Sequence, residues 1–259
     1  MKLTRLFDRR TTEDQGPVRC LDASGLTRPF DPPRLVMAVC IIAAGAAAII
    51  GGMLAAHTID QVLHGEERAA ATVEENIARD VSYDIPSMQD CIALDDASIL
   101  ARFQEAGFTT YDLTGEGDSG IDVMKLPSDV SLADAGIALA AGINSLDAVS
   151  ASKYLVGSWR FTAERVEGTV MRVRYSDMQA ADANQAIQAA LQSQGWMDNP
   201  AVSGTNEGQD EVGNTYKEGS LQTASGTYTW RISACALSDV YEIAGLPPTA
   251  QYVGIKIEA

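Results

Sequence analysis

Two stretches of this 259-residue chain carry one pattern: DDASILARFQEAGF, Asp95 to Phe108, and ANQAIQAALQSQGW, Ala183 to Trp196. They agree at Ile99/Ile187, Ala101/Ala189, Gln104/Gln192, Gly107/Gly195 and the aromatic residue after each glycine. Ile99 and Phe103, like Ile187 and Leu191, stand four apart and so share one face of a helix, and a glycine just past the last turn is the usual left-handed stop. Farther along, GSWRFTA, Gly157 to Ala163, matches TYTWRISA, Thr227 to Ala234, at Trp159-Arg160 and Trp230-Arg231. Each copy then ends in an alternating strand. Met171, Val173 and Tyr175 share one face of TVMRVRYSD, and Val253, Ile255 and Ile257 one face of QYVGIKIEA.

The common order is helix, acidic Gly-rich loop, strand carrying Trp-Arg, closing strand. A helix with one apolar stripe and an antiparallel sheet with one apolar face must cover each other to bury either. Three elements agreeing in the same order read as an internal duplication. The expected fold class is α+β: two tandem repeats, each a helix packed on a short antiparallel sheet, over residues 87–178 and 179–259. The copies differ mainly in a helical insertion at 125–156, begun by Ser131 as N-cap with Asp134 three residues on.

Ahead of the repeats, Leu35 to Ala56 contains no charged residue. At about 1.5 Å per residue this run spans about 33 Å, enough for a hydrocarbon core of about 30 Å. It reads as a transmembrane helix, the alternative being a cleaved signal peptide with an unusually long n-region. Basic residues crowd its N-terminal flank while His57, Asp60, Glu66 and Glu67 follow it, so residues 1–34 are expected to be a disordered cytoplasmic tail and 57–259 extracytoplasmic. Residues 57–86 read as a juxtamembrane helical stalk, ended by Ile85-Pro86. Ala44, Ala48, Gly52 and Ala56 recur every four residues, the spacing of a homodimer through the membrane helix. Helix-and-sheet repeats following an anchor resemble the architecture of wall-binding modules such as PASTA or SPOR domains. The distinctive motifs of those families are absent, so no residue role is transferred.

On this topology Cys91 and Cys235 lie in an oxidising space, and a disulfide between them is expected. DLTGEGDSGID, Asp112 to Asp122, raises the question of calcium. Asp112, Glu116 and Asp118 fall at ligand positions one, five and seven of an EF-hand loop, with Asp122 at position eleven. Position twelve holds Val123 instead of the bidentate glutamate, so a solvated turn is the main reading and Asp112, Glu116, Asp118 and Asp122 a weak calcium candidate.

A net charge of −16 repels phosphate backbones, so nucleic acid is not an expected partner. His57 and His64 are the only histidines and both precede the repeats, which removes Ser-His-Asp, Cys-His and His-based zinc chemistry from the repeat region. No phosphate-loop or dinucleotide fingerprint occurs. Trp159, Arg160, Trp230 and Arg231 are the candidate ligand groove; neighbours along a strand face opposite ways, so the competing reading puts the tryptophans in the core and the arginines outside. No catalytic residue is assigned. The expected function is a membrane-anchored, extracytoplasmic, non-catalytic binding or scaffold protein of the cell envelope, with an envelope polymer or a membrane protein as partner. The alternatives are a carboxylate-dependent hydrolase such as a glycosidase, and a transmembrane signalling or assembly subunit.

Overall fold

The computed structural model describes residues 64–166 and 168–259, together with the backbone of Cys20–Leu21 and Thr27–Arg28, which pair as the two short strands β1 and β2. Contacts divide the chain into residues 1–65 and Glu66–Ala259, and the large β-sheet with the helices that pack on it belongs to the second of these units.

Helix α1 runs through residues 64–77. After α2 (Met88–Cys91) the chain twice builds a helix followed by a four-stranded meander. The first is α3 (Asp96–Glu105), β3 (Thr110–Asp112), β4 (Gly120–Lys125), β5 (Trp159–Glu164) and β6 (Val170–Asp177), with α4 (Leu132–Ala141) and α5 (Ala148–Leu155) inserted between β4 and β5. The second is α6 (Ala183–Ser193), β7 (Val202–Gln209), β8 (Thr215–Thr223), β9 (Gly226–Ala236) and β10 (Gln251–Glu258).

The two meanders do not make two sheets. They form one antiparallel sheet of eight strands in the order β3-β4-β5-β6-β10-β9-β8-β7. The closing strands β6 and β10 pair residue for residue, from Asp177↔Gln251 to Val170↔Glu258. This corrects the expectation of a short antiparallel sheet for each repeat, and the reason is physical: a closing strand with one apolar face and an unpaired edge is satisfied by its counterpart in the other half.

Both helices cover the same side. Ile99 and Phe103 of α3, and Ala186, Ile187, Ala190 and Leu191 of α6, are buried in one core with Trp159, Phe161, Val173, Trp230, Ile232 and Ile255 of the sheet. Asp95 caps α3 by accepting from the Ser98 N–H, and Asp182 caps α6 by accepting from that of Gln185. Each helix ends in a Schellman motif: the Phe108 N–H donates to the Phe103 carbonyl and that of Gly107 to Gln104, as Trp196 does to Leu191 and Gly195 to Gln192. Gly107 and Gly195 take φ of 76° and 66°, the left-handed region that glycine enters without a Cβ clash. The turn throws the next aromatic back onto the sheet. Phe108 meets Trp159 with ring centroids 5.6 Å apart, and Trp196 meets Trp230 at 5.2 Å.

Residues 78–87 dock against the first half. The Trp159 indole N–H donates to the Tyr83 carbonyl at 2.8 Å, and the Tyr83 hydroxyl to that of Ser176 at 2.6 Å. Lys125, 6% exposed, sends its ammonium to the carbonyls of Ser82, Tyr83 and Gly157. Residues 64–86, read from sequence as a stalk, are thus helical at first and then pinned to the domain.

Two expectations need correction. Cys91 and Cys235 are free thiols. Cys91 is buried in the core under the helices, whereas Cys235, five residues after the inward Trp230, faces the other side of the sheet. The sheet stands between them. The expected membrane span over 35–56 lies outside the described residues, and among the described residues no helix is long and apolar enough to cross a membrane. Helix α6, with 11 residues, is about 17 Å long against the roughly 30 Å required, and α1 carries Glu66, Glu67, Arg68, Glu74 and Glu75. The membrane anchor, the extracytoplasmic placement, the bilayer, envelope and membrane-protein partners, and the homodimer through that helix have no support in the described structure. Nor does the envelope-scaffold or signalling role that depended on them.

Candidate functional site

Strand alternation separates each Trp-Arg pair. Trp159 and Trp230 are each 1% exposed in the core, while Arg160 and Arg231 stand on the face without helices α3 and α6. Trp159 and Arg160 nevertheless both line one pocket, and Trp230 and Arg231 another, so each pair meets a separate cavity.

This open face collects cations in an acidic protein. Arg160 on β5, Arg172 and Arg174 on β6, Lys256 on β10 and Arg231 on β9 occupy two adjacent cross-strand rows: Arg160↔Arg174, and Arg172↔Lys256↔Arg231. Four of the five have carboxylate partners. Arg160 donates bidentately to Asp122, at 2.8 and 2.5 Å, which holds the guanidinium even more firmly protonated than usual. Arg172 meets Glu164 at 2.6 Å, Lys256 pairs with Glu258, and Arg231 lies between Asp210 and Glu218 at 3.4 and 3.5 Å with its guanidinium 3.9 Å above the Tyr216 ring. The Arg174 side chain has no hydrogen bond or ion pair among the described residues.

Its surroundings make that informative. Arg174 lies directly across the ladder from Arg160, and like charges opposite each other on neighbouring strands repel. Its other cross-strand neighbour is Gly254, which fills no space beside it. Above the two arginines, the β4–β5 insertion and the connection from β9 to β10 enclose a pocket of about 110 Å³. Leu139 and Ile143 come from the insertion, Met124 from the sheet, and Tyr241 and Tyr252 from the opposite wall. The two phenol rings meet edge to face at 6.0 Å. Burial pushes both hydroxyls up, that of Tyr252 to about 12, against the opposing pull of Arg160 and Arg174, so both stay protonated and act as hydrogen-bond donors.

The acidic loop does something else. Asp112 accepts the Thr114 N–H at 2.8 Å, which lowers its carboxyl, Asp118 accepts that of Gly115 at 2.7 Å, and Asp122 is held by Arg160; Glu116 is exposed. These carboxylates shape a turn and anchor an arginine. Among the described residues no group of three or more His, Cys, Asp or Glu side chains is placed to hold a metal ion. The alternative hydrolase would need two facing carboxyls in a cleft; Asp118, Asp122 and Glu164 do line one open cleft, but Asp122 is engaged by Arg160 and Glu164 by Arg172.

Of the four residues expected in a groove, Trp159 and Arg160 line this pocket, and Arg231 lies three strands from Arg160. Sequence reasoning missed Arg174, Tyr241 and Tyr252. The alternation of TVMRVRYSD already sets Arg172 and Arg174 opposite Met171, Val173 and Tyr175, but which of them lacks a partner is decided across strands. Comparison with protein-family models, with curated proteins and with solved structures gives no match to this chain.

Proposed function

We propose that this protein is a binding module that holds an anionic ligand in the pocket between the open sheet face and the β4–β5 insertion. What supports the reading is Arg174, a half-buried residue opposite a second arginine, with no carboxylate partner among the described residues and a cavity at its side. A bound anion offsets the repulsion, and protonated Tyr241 and Tyr252 offer further donors to it. In this reading Arg160 positions the ligand while Asp122 neutralises it, and the tryptophans serve the core. Residues 87–178 and 179–259 are two copies of one unit, of which the first became the binding half by acquiring the insertion at 125–156.

The test is a thermal-shift and calorimetric screen of small anions against wild type and Arg174→Ala. We expect saturable binding to wild type, and a loss of about ten- to a hundredfold in affinity on removing Arg174, the equivalent of about 1.5–3 kcal/mol for a charged hydrogen bond. Equal responses from the two proteins, or none from wild type, would overturn the reading.

A further inference from the structure

We infer that the pocket's ligand is a monocarboxylate with a short apolar tail, its carboxylate on Arg174 beside Arg160 and its hydrocarbon against Met124, Leu139 and Ile143. This rests on the binding-module reading and adds the ligand class.

Charge comes first. Arg160, Asp122 and Arg174 together carry one unneutralised positive charge, which a monoanion balances and a phosphate dianion exceeds. Shape is second: a guanidinium presents a planar fork that a carboxylate meets with two parallel hydrogen bonds. Size is third. A cavity of about 110 Å³ is smaller than the roughly 150 Å³ cavity known to take benzene, so it holds an acid of a few carbons and excludes nucleotides and sugars. The apolar wall is fourth, because inorganic anions gain nothing from methionine, leucine and isoleucine side chains.

The second half of the molecule serves as an internal control. When Trp159-Arg160 is laid on Trp230-Arg231, Arg174 corresponds to Lys256, since each is the cross-strand partner of its arginine on the closing strand. There both cations are neutralised by the protein's own Glu258, Glu218 and Asp210. The β8–β9 hairpin turns within Thr223–Gly226 and carries no insertion to roof the spot. The charge at this position is neutralised from within in one half, where Arg231 and Lys256 line an unroofed cavity, and left uncompensated in the other.

The experiment is calorimetric titration of the full chain with acetate, propionate, butyrate, hexanoate, butyramide and inorganic phosphate, repeated on Arg174→Gln, Ile143→Ala and Lys256→Gln. We expect affinity to rise about two- to fourfold per methylene from acetate to butyrate and then level off as the tail leaves the pocket. Butyramide should bind at least tenfold more weakly than butyrate. Arg174→Gln should lose butyrate, Ile143→Ala should flatten the chain-length series, and Lys256→Gln should behave as wild type. A free acid and a peptide C-terminus share this chemistry, so isovalerate is compared with N-acetylvaline, and the tighter of the two names the source. Phosphate binding more tightly than butyrate in an Arg174-dependent manner, or butyramide matching butyrate, would overturn the carboxylate assignment while leaving the anion pocket standing. Absence of binding by every anion would overturn both.

Discussion

Gly107 and Gly195 each do one local job with a long-range result. Their left-handed turns reverse the chain so that Phe108 and Trp196 fall on Trp159 and Trp230. Alanine at either position should cost about 1–2 kcal/mol, because a Cβ clashes with the backbone at positive φ, and urea denaturation will measure it. Trp196→Ala, at a site 2% exposed, should cost about 3–5 kcal/mol in the same measurement. The cysteines give a chemical readout. Burial raises the Cys91 thiol to about 11 and also raises that of Cys235, which is partly exposed. Intact mass without reductant should therefore show both thiols unoxidised. Alkylation of the native protein should label Cys235 slowly, and Cys91 only after unfolding. Five residues is an odd number, so Cys235 leaves the strand on the side opposite Trp230, whereas the place of Cys91 under the helices is decided by packing.

Individual helices are set by short-range chemistry, which is why their ends were legible. Asp95, Ser131, Asp147 and Asp182 all accept a backbone N–H from three residues on. The Asp95 hydrogen bond to Ser98 holds that carboxyl below its ordinary range. A carboxyl lower in the folded than in the unfolded state adds stability that is complete above the unfolded value of about 4 and is lost as pH falls through the folded value. Asp112 and Asp210 act with the same sign, Asp112 through the Thr114 N–H and Asp210 through Asn214. The melting temperature should consequently drop below about pH 4. Asp95→Asn, which still caps but does not titrate, should make that drop shallower. The β4–β5 insertion is an element of a different kind. Its helices were expected from capping and composition, yet their placement over Arg160 and Arg174 comes from Leu155 and Ile143 packing with Leu237, Tyr241 and Tyr252, residues about a hundred positions away.

At the scale of the whole molecule the seam between β6 and β10 decides behaviour. Met171, Val173, Val253, Ile255 and Ile257 are all fully buried there, so neither half has a complete core without the other. Urea unfolding of the chain should be one cooperative transition, with tryptophan fluorescence and far-ultraviolet circular dichroism coinciding although Trp159 and Trp230 lie in different halves. Ile255→Asp, a buried charge without a partner, should abolish that transition in both halves at once. Two separate transitions would mean that the two halves remain independent.

Periodicity, caps and glycine stops were enough to place α3, α6, the Trp-Arg strands and the closing strands, because each signal acts over a few residues. Which side of the sheet Trp159, Arg160, Trp230 and Arg231 occupy followed from the period of two. The joining of two meanders into one sheet, the parting of Cys91 from Cys235 and the isolation of Arg174 depend on residues brought together from distant parts of the chain. Pairing across strands and the neutralisation of charge by charge are properties of neighbours in space, so only the folded molecule could determine them.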